Sequence, residues 1–268
     1  MKSLRALHII LFSVVLILVG CNSKNIKSFE SANKIGVILM HGKGGDTRWV
    51  DPLAYSLRSA GMQVVTPIMP WHKDRIYDKT FDEAMAEIHS YVLKMRSNGI
   101  QYVYLSGHSL GSIAAAGYAA RYDDIRGIIL LAPGHFTGEL GFHNMFIADL
   151  KKADTMIKAG EGNKNSTFND INVGKRRDAR YITANIFNSW FSDKGPAEFV
   201  ANMKKIKNSI PVLYLAGSQD RIPQTKNREY AFNKAPQNPK SRFVIIDSAH
   251  LYVPRNADKV IIEWLRNL

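Results

Sequence analysis

Tyr102 to Ala120 reads YVYLSGHSLGSIAAAGYAA. An apolar run of strand character leads into Gly107-His108-Ser109-Leu110-Gly111, and an alanine-rich stretch of helical character follows. A serine on such a strand-to-helix turn sits on strained backbone with its hydroxyl raised above the sheet's C-terminal edge. The flanking glycines are required because a side chain there collides with the turn's neighbours. The five-residue pattern alone is weak, since a plain glycine-rich turn would also produce it. Its strand before and helix after make Ser109 the candidate nucleophile.

Outward from this turn the chain alternates strand and helix. Continuous apolar runs at Ile35–Met40, Met62–Thr66, Tyr102–Leu105, Ile125–Leu131, Pro211–Ala216 and Phe243–Asp247 are short enough for buried strands. Phe81, Met85, Ile88, Val92 and Met95 share one helical face, and helices are also expected over Leu110–Tyr122 and Lys259–Leu268. This alternation predicts an α/β fold with about six mostly parallel strands covered on both faces. Residues 134–208 break the rhythm. They hold helical stretches at Phe146–Ala159 and Pro196–Lys207 around a polar middle, AGEGNKNSTFNDINVG. About 75 residues exceed an ordinary connection, so an inserted helical lid is expected within a single domain over 34–268.

His250 stands just beyond the last strand, in FVIIDSAHLYV. Alone among the eight histidines it combines a late position with a loop at a strand end, which makes it the candidate base. Asp220 follows the penultimate strand and completes the order Ser, Asp, His. Asp247 is its rival, but it ends the final strand and suits a turn cap better. The loop His41-Gly42-Lys43-Gly44-Gly45 ends the first strand. The backbone amides of Lys43 and Leu110 are the expected oxyanion donors, each worth about 3–4 kcal/mol to a transition state. HGKGG falls short of the GxxxxGK[ST] phosphate loop, and no GxGxxG appears.

The stretches HGKGGD (41–46), GHSLG (107–111), GSQDRIP (217–223) and DSAHLYV (247–253) together resemble the α/β-hydrolase superfamily of esterases, lipases and thioesterases. The resemblance runs from Ile35 to Leu268. It implies an acyl-enzyme on Ser109, with His250 as base and Asp220 orienting it. It also implies no cofactor and no metal. Relatives with an aspartate nucleophile are excluded by the serine. The chain departs from the family at its front, where 13 residues between Cys21 and the first strand leave little room for the usual leading hairpin. Substrate identity is not carried by the fold. Trp71, His72, Trp190 and Phe191 are candidates to line the entrance, or else to pack lid against core. The expected substrate is a small-molecule or lipid ester. An acyltransferase with the same triad and a non-catalytic binding scaffold are the alternatives.

Composition narrows the partners. The 268 residues are 46% hydrophobic and 22% charged, an ordinary globular balance. The formal charge is +13, with +3 over 21–134, +4 over 135–208 and +4 over 209–268. Charge spread this evenly is a solvated surface rather than a nucleic-acid stripe, so no nucleic-acid partner is expected. Cys21 is the single cysteine, which excludes a disulfide framework. It lies where an N-terminal export signal would end. Lys2 and Arg5 precede the 14-residue apolar run Ala6–Val19, shorter than the roughly 20 residues of a spanning helix. Leu18-Val19-Gly20-Cys21 resembles the lipobox of bacterial lipoproteins. That resemblance implies a signal peptide over 1–20, a lipid on Cys21, a polar tether over 21–33 and a place in the bacterial cell envelope. Asn22 does not resemble the aspartate retention signal, which favours the outer membrane facing the periplasm.

Overall fold

The computed structural model describes residues 34–171, 177–222 and 228–268; the expected signal peptide, Cys21 and the tether lie outside them. In chain order the elements are β1 (Ile35–Met40), α1 (Asp51–Ser59), β2 (Gln63–Val65), α2 (Phe81–Ser97), β3 (Tyr102–His108), α3 (Leu110–Ala119) and β4 (Gly127–Leu131). Next come α4 (Leu140–Lys158), β5 (Asn165–Ile171), β6 (Arg177–Thr183), α5 (Ala184–Phe191) and α6 (Phe199–Lys205). The chain closes with β7 (Val212–Gly217), α7 (Arg228–Phe232), β8 (Arg242–Ile246), α8 (Val253–Asn256) and α9 (Asp258–Arg266).

The six-stranded sheet has the order β2-β1-β3-β4-β7-β8, and every neighbouring pair is parallel. Parallel strands need a crossover between them, and the crossovers cover both faces. That is why β1, β3, β4 and β7 read as near-continuous apolar runs instead of alternating. Ile38 and Met40 face one core with α2, α3 and the insertion, while Val37 and Leu39 face the other with α1 and α9. Strand order reverses at β1, with β2 on one side of it and β3 on the other. Crevices at the carboxyl ends of strands flanking such a reversal are where open α/β sheets bind ligands. The loop after β1 and the turn after β3 both end there.

Helix α2 shows how closely local sequence and packing agree. Thr80 caps it by accepting from the Glu83 amide, and the Glu83 carboxylate accepts from the Thr80 amide in return. Its buried face is Phe81, Ala84, Met85, Ile88, Val92 and Met95. Each large side chain so buried contributes on the order of 1.5–3 kcal/mol. Helix α3 is buried on all sides, between the sheet and the inserted segment.

The insertion between β4 and β7 is not helical throughout. Helices α4, α5 and α6 frame an antiparallel hairpin, β5 with β6, in which Phe168 pairs with Arg180 and Asp170 with Asp178. The polar middle expected as part of a helical lid therefore contributes strand. Its period is two: Phe168 and Asp170 point inward and are fully buried, and their neighbours are not. Phe168 stacks on Phe187 of α5, with ring centroids 4.5 Å apart. One aromatic and one buried carboxylate set the register of an otherwise polar strand.

Candidate active site

Ser109 occupies the single residue between β3 and α3, with φ 54° and ψ −114°. A non-glycine residue there is strained, and the strain persists only because the surroundings dictate it. They do so closely. The Ser109 amide donates to the Leu131 carbonyl on β4 at 2.9 Å. A Cβ on Gly107 would stand 2.1 Å from the Gly111 backbone, and one on Gly111 would stand 2.8 Å from the carbonyl oxygens of Met40 and His41. Ser112 locks the turn from behind: its hydroxyl donates to the Gly107 carbonyl at 2.6 Å and accepts from the Leu131 amide at 3.0 Å.

His250 begins a short 3-10 turn after β8, and Asp220 follows β7. Their side chains meet, with His250 Nδ1 2.7 Å from Asp220 Oδ2, and both are buried. Asp220 Oδ1 accepts from the Ile222 amide at 3.0 Å, which fixes the plane of the carboxylate. A carboxylate can only accept, so Nδ1–H is the donor, and in a neutral ring with that tautomer Nε2 is the acceptor. Nε2 is buried and has no hydrogen-bond partner among the described residues. A Cβ on Gly134 would stand 3.1 Å from Ser109 Oγ and 3.8 Å from His250 Cε1, so both groups border the same small space. Asp247 is elsewhere, accepting from Ser218 Oγ and Gln219 Nε2 on the exposed surface.

His108, the variable residue of the serine turn, supports the histidine from below. Its Nε2 donates to the His250 carbonyl at 3.0 Å, and the two rings lie 4.9 Å apart. Burial and the neighbouring His250 push its pKa down to about 3, so it remains a neutral donor at physiological pH. Nothing local in the sequence marks this role, because the contact spans 142 residues.

The β1 loop is equally constrained. His41 Nδ1 donates to the Gly42 carbonyl at 2.8 Å, and Nε2 accepts from the Met69 amide at 3.2 Å. That pairing demands the neutral imidazole, and burial lowers its pKa to about 4. Gly44 N–H donates to the Trp71 carbonyl, and Trp71 Nε1 donates to the His41 carbonyl. Neither the Lys43 amide nor the Leu110 amide takes part in a hydrogen bond among the described residues. Leu110 opens α3, so no carbonyl of its own helix can reach its amide.

The four aromatic candidates for the entrance lie together but inside. Trp71, His72, Trp190 and Phe191 are all buried. Trp71 meets Trp190 edge to face at 5.5 Å, and Trp190 Nε1 donates to the Lys79 carbonyl at 2.8 Å. His72 stands 5.3 Å from the His41 ring. These side chains form the seam between insertion and core. Among the described residues no three His, Cys, Asp or Glu side chains cluster to hold a metal ion.

A serine on a strained elbow beside a buried His–Asp pair is matched by sequence relationship. Residues 31–253 match the family model described as serine aminopeptidase, S33, a hydrolase family. The chain belongs to the S33 serine aminopeptidase family. No curated protein matches its sequence. Solved structures with the same fold include a monoacylglycerol lipase from Paleococcus ferrophilus, 20% identical, with a TM-score of 0.62 over 87% of this chain and 94% of that one. A thermostable carboxyl esterase from Bacillus coagulans is 16% identical, with a TM-score of 0.61 over 87% and 88%. Est1E from Butyrivibrio proteoclasticus is 19% identical, with a TM-score of 0.59 over 87% and 85%. In this S33-family chain the α/β-hydrolase sheet is built of six parallel strands among the described residues, with the serine turn at its centre.

Proposed function

We propose that this S33-family hydrolase cleaves carboxylic esters through an acyl-enzyme on Ser109. The observation that carries the reading is the buried His250–Asp220 pair, whose imidazole ring borders the same small space as Ser109 Oγ. Serine is a weak nucleophile at neutral pH, so His250 takes its proton as Oγ attacks the carbonyl carbon. Asp220 holds the tautomer and stabilises the imidazolium that forms. Negative charge collects on the carbonyl oxygen, where the amides of Lys43 and Leu110 receive it. The alcohol departs with the proton from His250. Water then attacks the acyl-enzyme by the same route, regenerating Ser109 and releasing the acid.

The lipases and esterases among the structural neighbours support an ester as the scissile bond. The family's name, serine aminopeptidase, favours a second reading, in which an amide of an N-terminal residue is cleaved. The two are separated by kcat/KM for p-nitrophenyl acetate, butyrate and octanoate against alanine and leucine p-nitroanilides. The ester reading expects the best ester to exceed the best anilide by at least about 100-fold, the tetrahedral adduct being common and only leaving-group departure differing. Comparable anilide turnover would transfer the assignment to a peptidase. Acyl transfer to an added alcohol or amine, read from the products, would mark a transferase.

The N-terminal segment extends the proposal to place. Export under the signal over 1–20 and acylation of Cys21 would hold the catalytic domain at a membrane surface by its lipid. No helix among the described residues is long and apolar enough to cross a membrane. A membrane-bound chain that begins at Cys21 and carries the added mass of acyl chains on that residue is then expected; a membrane-bound chain with an unmodified Cys21 would contradict the lipid anchor.

A further inference from the structure

The loop that carries the oxyanion donor is nearly without side chains. Between His41 and Asp46 the residues are Gly42, Lys43, Gly44 and Gly45, and Gly44 sits at φ 59°. A peptide plane in so glycine-rich a stretch has little of its own to hold it. Lys43 is the one residue of the four that offers a handle, and the insertion grips it. Its ammonium donates to Asp170 Oδ1 at 2.7 Å and to the Ile171 carbonyl at 2.7 Å, both on β5. It also lies over the Phe191 ring of α5, 5.9 Å from the centroid. The partners are 127 residues apart in sequence, and the Asp170 side chain is completely buried.

A buried carboxylate needs more than one reason to be where it is. Arg180 on β6 places its Nε 3.7 Å from Asp170 Oδ2, and Asp178 balances Arg180 from the other side at 3.5 Å. Tyr77 and His135 complete the surroundings, each against the Phe191 ring at 5.6 Å and 4.9 Å. Burial pushes the Asp170 carboxyl up, but the Lys43 ammonium, aided by its hydrogen bond, outweighs this and holds it below the ordinary value. Oδ1 is thus bonded to the cation on the oxyanion loop, while Oδ2 faces the Arg180 guanidinium of the hairpin's second strand at 3.7 Å without a hydrogen bond.

We propose that Asp170 is a positioning residue for the reaction, acting through the Lys43 side chain to hold the Lys43 amide where the oxyanion forms. The inference rests on the acyl-enzyme reading above. It makes the β5–β6 hairpin part of the catalytic apparatus although it supplies no reacting group. Moving the insertion off the sheet would draw Lys43 with it, so closure of the insertion and completion of the oxyanion hole become one event. A bridge that merely staples the insertion to the core would affect substrate entry and stability instead.

Asp170→Asn and Lys43→Met each leave one group of the pair behind in a buried place, which threatens folding on its own. The double variant, Lys43→Met with Asp170→Asn, removes both charges and keeps the volume, and is the decisive protein. Active serine is first counted by fluorophosphonate titration, so that unfolded molecules are excluded from every rate. Per active serine, kcat for p-nitrophenyl butyrate is expected to fall about 10- to 100-fold in the double variant, a fraction of the effect of deleting a donor outright. KM should stay within about threefold, since the donor acts on the transition state. A trifluoromethyl ketone, which forms a tetrahedral adduct on the serine, should bind more weakly by the same factor as kcat/KM.

An unchanged kcat per active serine would overturn the proposal. So would a rise in KM alone, or a lower kcat with undiminished ketone affinity. A wild-type protein that neither labels nor turns over ester would overturn the acyl-enzyme reading itself, and the positioning role with it.

Discussion

His250→Ala is expected to lower kcat for a p-nitrophenyl ester by about 10⁴- to 10⁶-fold, with KM little changed, the range found when members of such triads are removed. Its structural basis is the absence of any substitute. The His250 ring borders the same space as Ser109 Oγ with its Nε2 buried and unbonded, and the other nearby imidazole, His108, already donates to the His250 carbonyl and is held neutral by burial. Asp220→Asn should cost about 10⁴-fold without unfolding the protein. The reason is tautomeric. An amide nitrogen facing Nδ1 would make that nitrogen the acceptor, moving the ring proton to Nε2, where it blocks uptake from Ser109. Asp247→Asn, whose side chain only caps Ser218 and Gln219, should retain activity within about twofold, as expected for a surface substitution. Equal losses at positions 220 and 247 would contradict the assignment of the acid.

The second large effect is on stability in acid. His41, His108 and His135 are all buried, and burial lowers their pKa values to about 4, 3 and 3. His135 is further opposed by the Lys43 ammonium, while its Nε2 donates to the Trp190 carbonyl at 2.7 Å. In the unfolded chain each titrates near 6.5. Below that pH the unfolded chain binds three protons that the folded chain refuses, so stability falls as pH drops. Each histidine contributes about 1.4 kcal/mol per pH unit, and the three together on the order of 4 kcal/mol per unit. Against a total of about 5–15 kcal/mol, acid unfolding should then set in between about pH 5 and 4. Asp46 and Asp170, both held below the ordinary carboxylate value, add their losses only at lower pH still. Urea unfolding at pH 7.5, 6 and 5 checks the slope, and His108→Gln should reduce it by about one third. A flat profile from pH 7 to 5 would contradict the buried neutral imidazoles.

Much of this architecture was readable in sequence because it depends on local pattern. The run Ile35–Met40 forms β1 with those same bounds, since a strand covered on both faces is apolar throughout. The face Phe81–Met95 is legible because 3.6-residue spacing survives in a helix lying on a sheet. Ser109, Asp220 and His250 are legible because each follows a strand, and the sheet brings the strand ends to one edge. The hairpin β5–β6 was hidden: only Phe168 and Asp170 carry its inward alternation, and one of them is charged. The grip of Asp170 on Lys43 and of His108 on the His250 carbonyl join elements 127 and 142 residues apart, and no local signal marks such contacts. Trp71 and Trp190 look alike in sequence whether they line an entrance or close a seam. Only the fold shows their indole nitrogens bonded to backbone carbonyls of the interior.

The central claim is that Ser109 is an activated nucleophile, and fluorophosphonate labelling of the purified protein tests it most directly. Intact-mass analysis should show one adduct per molecule, peptide mapping should place it on Ser109, and Ser109→Ala should remain unlabelled. Folded protein that takes up no label anywhere between pH 6 and 9 would contradict the account.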